Sequence, residues 1–173
     1  MTLAPTLETE RLTLRAPTAA DFEPLAEFFA DEQRSAGFGG PLNRHDAWRW
    51  FAGSLGHWQL RGFGFWTAVL KEDNAVCGIV GLWEPEGWPE PELGWVMFEN
   101  AEGKGLAYEA ALKVRDHAYA EMGFTTLTSN IVPGNARSVK LAEKLGATYE
   151  RTFTNHNMGP EMAYRHPAPE AAQ

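Results

Sequence analysis

The run Glu92-Leu-Gly-Trp-Val-Met-Phe98, followed by Asn100-Ala-Glu-Gly-Lys-Gly-Leu-Ala-Tyr-Glu-Ala-Ala-Leu112, reads as a strand feeding a helix whose first turn is almost all backbone. Gly103, Gly105 and Ala107 keep bulky side chains off that turn. Its orphan amide N–H groups are therefore free to converge on an anion, aided by the helix dipole. The chemistry on offer is the binding of a phosphate or pyrophosphate. Two familiar nucleotide motifs do not fit. Leu106 follows Gly103-Lys104-Gly105 where a P-loop needs Ser or Thr, and Tyr108 stands where a dinucleotide fingerprint needs its third glycine. Further along, Pro133-Gly-Asn-Ala-Arg-Ser138 sets Asn135 as the cap of a later helix, with Ser138 in its first turn.

The elements that must position these residues follow from periodicity. Arg11 to Arg15 alternates polar and apolar residues and reads as a strand ended by Pro17. Thr18 with Asp21 forms a box-like cap for a first helix lined by Phe22, Leu25, Ala26 and Phe29, and Pro24 within it predicts a kink or a later start. Asn43 with Asp46 opens a second helix that turns Ala47, Trp48, Phe51, Leu55 and Trp58 inward, weakened by Gly53 and Gly56. Strands over 65–70 and 76–83 flank a turn at 71–74, a hairpin. The strand 92–98 and its helix from Gly103 come next, then a short buried strand 125–131. A helix over 135–145 and two strands, 148–153 and 161–165, complete the order. The result is a mixed α/β domain, with hairpins first and crossovers through the later helices.

A chain of 173 residues suits one domain, here 1–166, and the Ala/Pro/Glu-rich 167–173 reads as a disordered tail. The single cysteine, Cys77, excludes an internal disulfide, and no histidine or cysteine spacing suggests a metal, so a cytoplasmic setting is expected. No apolar run is long enough to span a bilayer, and no membrane role is expected. A net charge of -8 argues against nucleic acid and leaves a cationic amine acceptable. Of seven tryptophans, Trp48, Trp50, Trp58 and Trp66 cluster in one third of the chain, as core or as the wall of a pocket.

These residues together resemble the GCN5-related N-acetyltransferases, the GNAT superfamily. The resemblance rests on Glu92-Leu-Gly-Trp95, Glu102-Gly-Lys-Gly-Leu-Ala107, Asn135-Ala-Arg-Ser138 and Glu143-Lys-Leu-Gly146. The opening Glu8-Thr-Glu-Arg-Leu-Thr-Leu-Arg15, with Asp21 and Gly64-Phe-Trp66, is similar to the branch that holds the ribosomal-protein N-terminal acetyltransferases. The resemblance implies a mostly antiparallel α/β sheet, splayed between the cofactor strand and the next, with helices on both faces. It implies acetyl-CoA as co-substrate. A bulge around Val96, Met97 and Phe98 would aim backbone N–H groups at the thioester. The amides of Gly103, Lys104, Gly105, Leu106 and Ala107 would cradle the pyrophosphate, and Asn135 and Ser138 would face the pantetheine and sulfur.

Two positions depart from the family pattern. Glu102 stands where Gln or Arg is usual, and its side chain is expected to turn to solvent. Ala142 replaces the tyrosine that often protonates the leaving thiolate, which leaves Ser138 or a water for that task. For the base, Glu92 is the first choice, with a solubilising charge at a strand end as the alternative; Glu109 is expected to face solvent or a structural partner. The Met97 or Phe98 N–H would meet charge developing on the carbonyl oxygen. The acceptor is expected to be a primary amine, either a peptide N-terminus or a small molecule. A rival reading is an acyl-CoA-binding module without turnover. Either a monomer or a homodimer is compatible with the chain.

Overall fold

Alternation along each strand decides which face a side chain joins, and the sheet sorts its residues by that rule. In the computed structural model, which describes residues 4–169, the strands are β1 (Leu7–Glu8), β2 (Leu12–Arg15), β3 (Phe65–Leu70), β4 (Val76–Trp83), β5 (Glu92–Met97), β6 (Thr128–Ile131), β7 (Thr148–Asn155) and β8 (Gly159–Arg165). They form one sheet in the order β1-β2-β3-β4-β5-β6-β8-β7. All neighbours are antiparallel except β5 and β6. The helices are α1 (Phe22–Ala30), α2 (Glu32–Ser35), α3 (Arg44–Arg61), α4 (Leu106–Glu121) and α5 (Ala136–Lys144). This is the mixed, mostly antiparallel α/β architecture expected, with β1 and the short α2 added to the predicted order.

Trp66, Ala68, Val80, Leu82 and Leu93 pack on one face with Leu106, Ala110, Ala111, Val114 and Ala118 of α4. Their strand neighbours Phe65, Ile79 and Val96 pack on the other face with Phe22, Leu25 and Phe29 of α1 and Ala47 and Phe51 of α3. Helices therefore cover both faces of the central strands. Each large apolar side chain buried this way contributes about 1.5–3 kcal/mol. Pro24 lies in the first turn of α1, where its missing N–H has no intrahelical bond to lose, so the helix starts at Phe22 without a kink.

Two local expectations are corrected. The second helix, α3, runs unbroken for 18 residues despite Gly53 and Gly56, with Asn43 Oδ1 accepting from the Asp46 N–H at 3.0 Å. Its buried stripe is Ala47, Phe51, Ser54 and Trp58; Trp48 and Leu55 each sit one residue off that stripe and are 49% and 36% exposed. The helix after the glycine turn begins at Leu106 rather than Gly103, because Gly103 and Gly105 are both left-handed. Of the segment read as a disordered tail, the Pro167 carbonyl accepts a hydrogen bond from the Tyr119 hydroxyl at 2.9 Å, and residues 170–173 lie outside the described residues. Among the described residues, no helix is long and apolar enough to cross a membrane.

The central feature for the site is the junction of β5 and β6. Their pairing is confined to Glu92 opposite Thr128, beyond which they diverge. On its other edge β5 keeps one register with β4, from Trp83 opposite Glu92 to Gly78 opposite Met97. The Phe98 N–H continues that ladder by donating to the Cys77 carbonyl at 2.8 Å. The bulge expected at Val96 to Phe98 is therefore not formed. Strand alternation sends the amides of Val96 and Phe98 toward β4 and those of Trp95 and Met97 toward the opening. It is the splay, and not a bulge, that exposes backbone donors.

Candidate active site

The glycine turn has the form its sequence implies. Gly103 and Gly105 have φ of 73° and 75°, a region that L side chains enter only with strain. An added Cβ at Gly103 would meet nothing within 4 Å, so conformation rather than crowding requires the glycine. Gly105 occupies the N-cap of α4, and no side chain caps the helix. The first backbone bond, from the Glu109 N–H to the Gly105 carbonyl, leaves the amides of Leu106, Ala107 and Tyr108 without helical acceptors.

These amides face a groove of about 400 Å³ between β5, α4 and α5. Val96, Met97, Glu102, Gly103, Gly105, Leu106, Ala107, Asn135 and Ser138 line it. Arg34, Arg137, Lys140 and Lys144 line it as well, adding four cationic side chains to the groove. Glu102 does not turn to solvent. Its carboxylate accepts from Arg34 at 3.0 Å and Arg137 at 3.3 Å, linking α2 to α5 across the groove. The donor set, orphan amides together with four cationic side chains, suits a linear polyanion such as a CoA diphosphate and ribose phosphate.

Two predicted groove residues are placed elsewhere. Phe98 is buried with α1 and α3, its amide already bonded, so it joins the core. Lys104 is not in the groove lining, and its side chain folds back to donate to the Asn100 carbonyl at 2.8 Å. Glu109 is a structural partner, accepting from the Thr9 hydroxyl at 2.6 Å and from Arg11 Nε at 2.7 Å.

A second cavity, about 370 Å³, opens where β5 and β6 part. Its walls are aromatic, from Phe38, Trp50, Phe65, Trp83, Trp88 and Trp95. Of the tryptophan cluster noted in the sequence, Trp58 and Trp66 are core and Trp50 alone reaches this cavity. Glu92 is half-buried at its floor, where Trp88 Nε1 donates to Oε2 at 2.8 Å and the Asn130 amide approaches Oε1 at 3.4 Å. Burial pushes the Glu92 pKa up to about 7; the Trp88 bond opposes this and the nearby Glu161 charge adds to it. Glu161, 3% exposed on β8, is also raised by burial, and Asn155 Nδ2 donates to its Oε2 at 2.9 Å. The loop that carries Trp88 is pinned by Glu90, which pairs with Arg165 and, at 3.1 Å, with Arg151.

The two cavities share Gly37, Phe38, Trp95, Asn135 and Ser138. Asn135 Oδ1 caps α5 by accepting from the Ser138 N–H at 3.2 Å. A Cβ on Gly37 would fall 2.6 Å from Asn135 Nδ2, so glycine is needed for the loop after α2 to close this neck. Trp95 Nε1 donates to Ser138 Oγ at 3.4 Å, which leaves the serine proton free to be given to another acceptor. Met97, whose amide points into the opening, is in the groove beside the neck.

Sequence reasoning missed the groove's cationic side chains and Glu161. Arg137, Lys140 and Lys144 recur at helical spacing and carried a legible signal, whereas Arg34 and Glu161 come from elements that only the tertiary fold brings to the site. Two of the five histidines have structural roles. His57 bridges the Phe63 carbonyl and the Glu84 amide, and buried His166, its pKa lowered to about 3 by burial and the nearby arginines, contacts Ser129 Oγ at 2.8 Å.

Comparison with known proteins agrees with this architecture. Residues 11–148 match the family description "Acetyltransferase (GNAT) domain". An acetyltransferase structure from Agrobacterium tumefaciens str. C58 is 36% identical, with a TM-score of 0.87 over 95% of each chain. An uncharacterized N-acetyltransferase, p20, from Bacillus licheniformis is 27% identical over 81% of this chain and 80% of its own. A ribosomal L7/L12 α-N-protein acetyltransferase, RimL, solved in complex with coenzyme A, is 14% identical and shares the fold, with a TM-score of 0.76 over 94% of this chain and 97% of that one. The splayed sheet, the glycine turn at its mouth and the match along most of the chain lead to one assignment: this chain belongs to the GNAT family of acetyltransferases.

Proposed function

We propose that the chain transfers the acetyl group of acetyl-CoA to a primary amine by direct attack in a ternary complex. The observation that carries this reading is the meeting of two cavities of opposite character at one neck. The groove offers amides and cations; the second cavity offers carboxylates and aromatic faces. Acetyl-CoA, when bound, supplies an activated thioester carbon. The chain's residues do the rest. The amides of Leu106 and Ala107, with Arg34, Arg137, Lys140 and Lys144, would hold the phosphates, and Asn135 and Ser138 would flank the thioester end.

Glu92, with a pKa near neutrality, takes the proton that the ammonium must lose, directly or through a water. The Met97 N–H meets charge developing on the carbonyl oxygen, a donor fixed before reaction. Ser138 Oγ, accepting from Trp95, would return a proton to the leaving sulfur. One N–C bond forms as one C–S bond breaks, and the enzyme ends as it began once Glu92 and Ser138 exchange protons with solvent. The buried Cys77, its thiol pushed up to about 11 by burial, takes no part and suits a reducing cytoplasm.

Thiol release from acetyl-CoA, measured over a panel of amines and peptides, tests the proposal. Saturable release with at least one amine is expected, with rate patterns that require both substrates bound together. CoA binding without thiol release on any acceptor would favour an acyl-CoA-binding module instead, the reading that Ala142 at the usual tyrosine position keeps in play.

A further inference from the structure

The aromatic cavity carries information about the acceptor that the family alone does not. Its lining contains no lysine, arginine or histidine, while Glu92 on β5 and Glu161 on β8 contribute carboxylates from strands far apart in sequence. The Glu161 side chain is almost fully enclosed, and Asn155 holds only Oε2, which leaves Oε1 for a further donor. Asn130, from β6, lies beside Glu92 close enough to favour its charged form. Yet neither polar atom of its buried side chain meets a partner at hydrogen-bond geometry among the described residues. Buried amide atoms that meet no partner at full hydrogen-bond geometry, in one cavity with half-buried Glu92 and buried Glu161, form an arrangement completed by a ligand that donates hydrogen bonds.

We propose that the acceptor is a compact, singly cationic primary amine with an apolar body of about one aromatic ring and no anionic group, its ammonium held between Glu92, Glu161 and the Asn130 carbonyl oxygen. This rests on the acetyl-transfer reading above. Ring faces such as those of Trp50, Trp83 and Trp88 favour both an apolar body and an adjacent cation. A volume of about 370 Å³ is at the small end of ligand pockets and suits one ring-sized body. A carboxylate on the ligand would be buried against Glu92 and Glu161 with no basic side chain in the lining to pair it.

The two carboxylates have a further consequence. Burial raises both, and the charge of Glu161 adds to the rise at Glu92, so near pH 7 the cavity holds part of a proton. An incoming ammonium takes the place of that proton. Its binding therefore releases protons to solvent.

Isothermal titration of the native protein with phenethylamine and with phenylalanine, in two buffers of different ionisation heat, tests this directly. The two ligands share a body and differ by one carboxylate. Phenethylamine is expected to bind at least tenfold more tightly and to release protons. Glu161→Gln, which can still accept from Asn155, is expected to weaken phenethylamine about tenfold and reduce proton release, with CoA affinity unchanged. Equal or tighter binding of phenylalanine or of an N-terminal tripeptide, or binding of phenethylamine without proton release, would overturn the assignment. If Glu161→Gln does not fold, the proton release of the native protein decides. Tight, proton-releasing binding of phenethylamine without thiol release from acetyl-CoA would uphold the cavity assignment and overturn the transfer reading.

Discussion

Replacing Glu92 by glutamine removes a proton acceptor while keeping the cavity floor, because a glutamine oxygen still accepts from Trp88 Nε1 where the carboxylate does so at 2.8 Å. Burial raises the carboxyl from its ordinary 4.5 to about 7. Each pH unit of that displacement is worth about 1.4 kcal/mol, so an ionised Glu92 destabilises the fold by about 3 kcal/mol once the pH exceeds 7. The sign follows from proton counts. Between pH 4.5 and about 7 the folded state keeps a proton that the unfolded chain has released, so stability falls as pH rises through this window. Glutamine carries no such penalty. Urea unfolding at about pH 5 and about pH 8 is therefore expected to show the stability of Glu92→Gln rising, relative to the native protein, by about 2–3 kcal/mol. Turnover is expected to move the other way, falling by about 10²-fold and losing the limb that rises through pH 7. A stability difference independent of pH would refute the burial argument, and native rates in the variant would remove Glu92 from the mechanism.

Gly105→Val forces a side chain into a left-handed conformation that costs about 1–2 kcal/mol. CoA affinity, by calorimetry, is expected to weaken about tenfold, and unchanged affinity would separate this turn from the cofactor. Ser138→Ala should lower kcat about tenfold or more with little change in the dissociation constant of CoA; an equal loss of affinity would make Ser138 a binding group rather than a proton donor. Glu102→Gln releases Arg34 and Arg137 from their carboxylate partner, so CoA should bind several-fold more tightly at low salt, with the gain shrinking as salt rises. Weaker binding in that variant would mean that Glu102 orients the arginines rather than competes for them.

Local chemistry was legible in the residues. The hairpin of β3 and β4, the caps at Asn43 and Asn135 and the glycine turn each depend on a few neighbouring positions, and each formed where alternation, capping and turn residues placed it. The acidic Glu102 was misread because its partners could not be seen: Arg34 lies 68 residues away, and only the approach of α2 to the turn before α4 makes the pair. The expected bulge does not form because the register with β4 extends through Phe98, a property of the ladder and not of the strand alone. Trp50 and Trp58 share one helix, yet one lines a cavity and the other is core. That outcome depends on which strands lie beneath each turn of α3. Glu161 was read as part of an ordinary final strand, and its place opposite Glu92 arises from the insertion of β8 between β6 and β7.

The central claim is that cofactor and amine meet at the neck formed by Gly37, Phe38, Trp95, Asn135 and Ser138. A crystal structure with a non-transferable acetyl-CoA analogue and a small amine tests it most directly. The account predicts the phosphates on the amides of Leu106 and Ala107, the acyl carbon at the neck within reach of Ser138 Oγ, and the amine in the aromatic cavity beside Glu92. An acyl group outside the neck, or an amine approaching from any other side of the sheet, would contradict it.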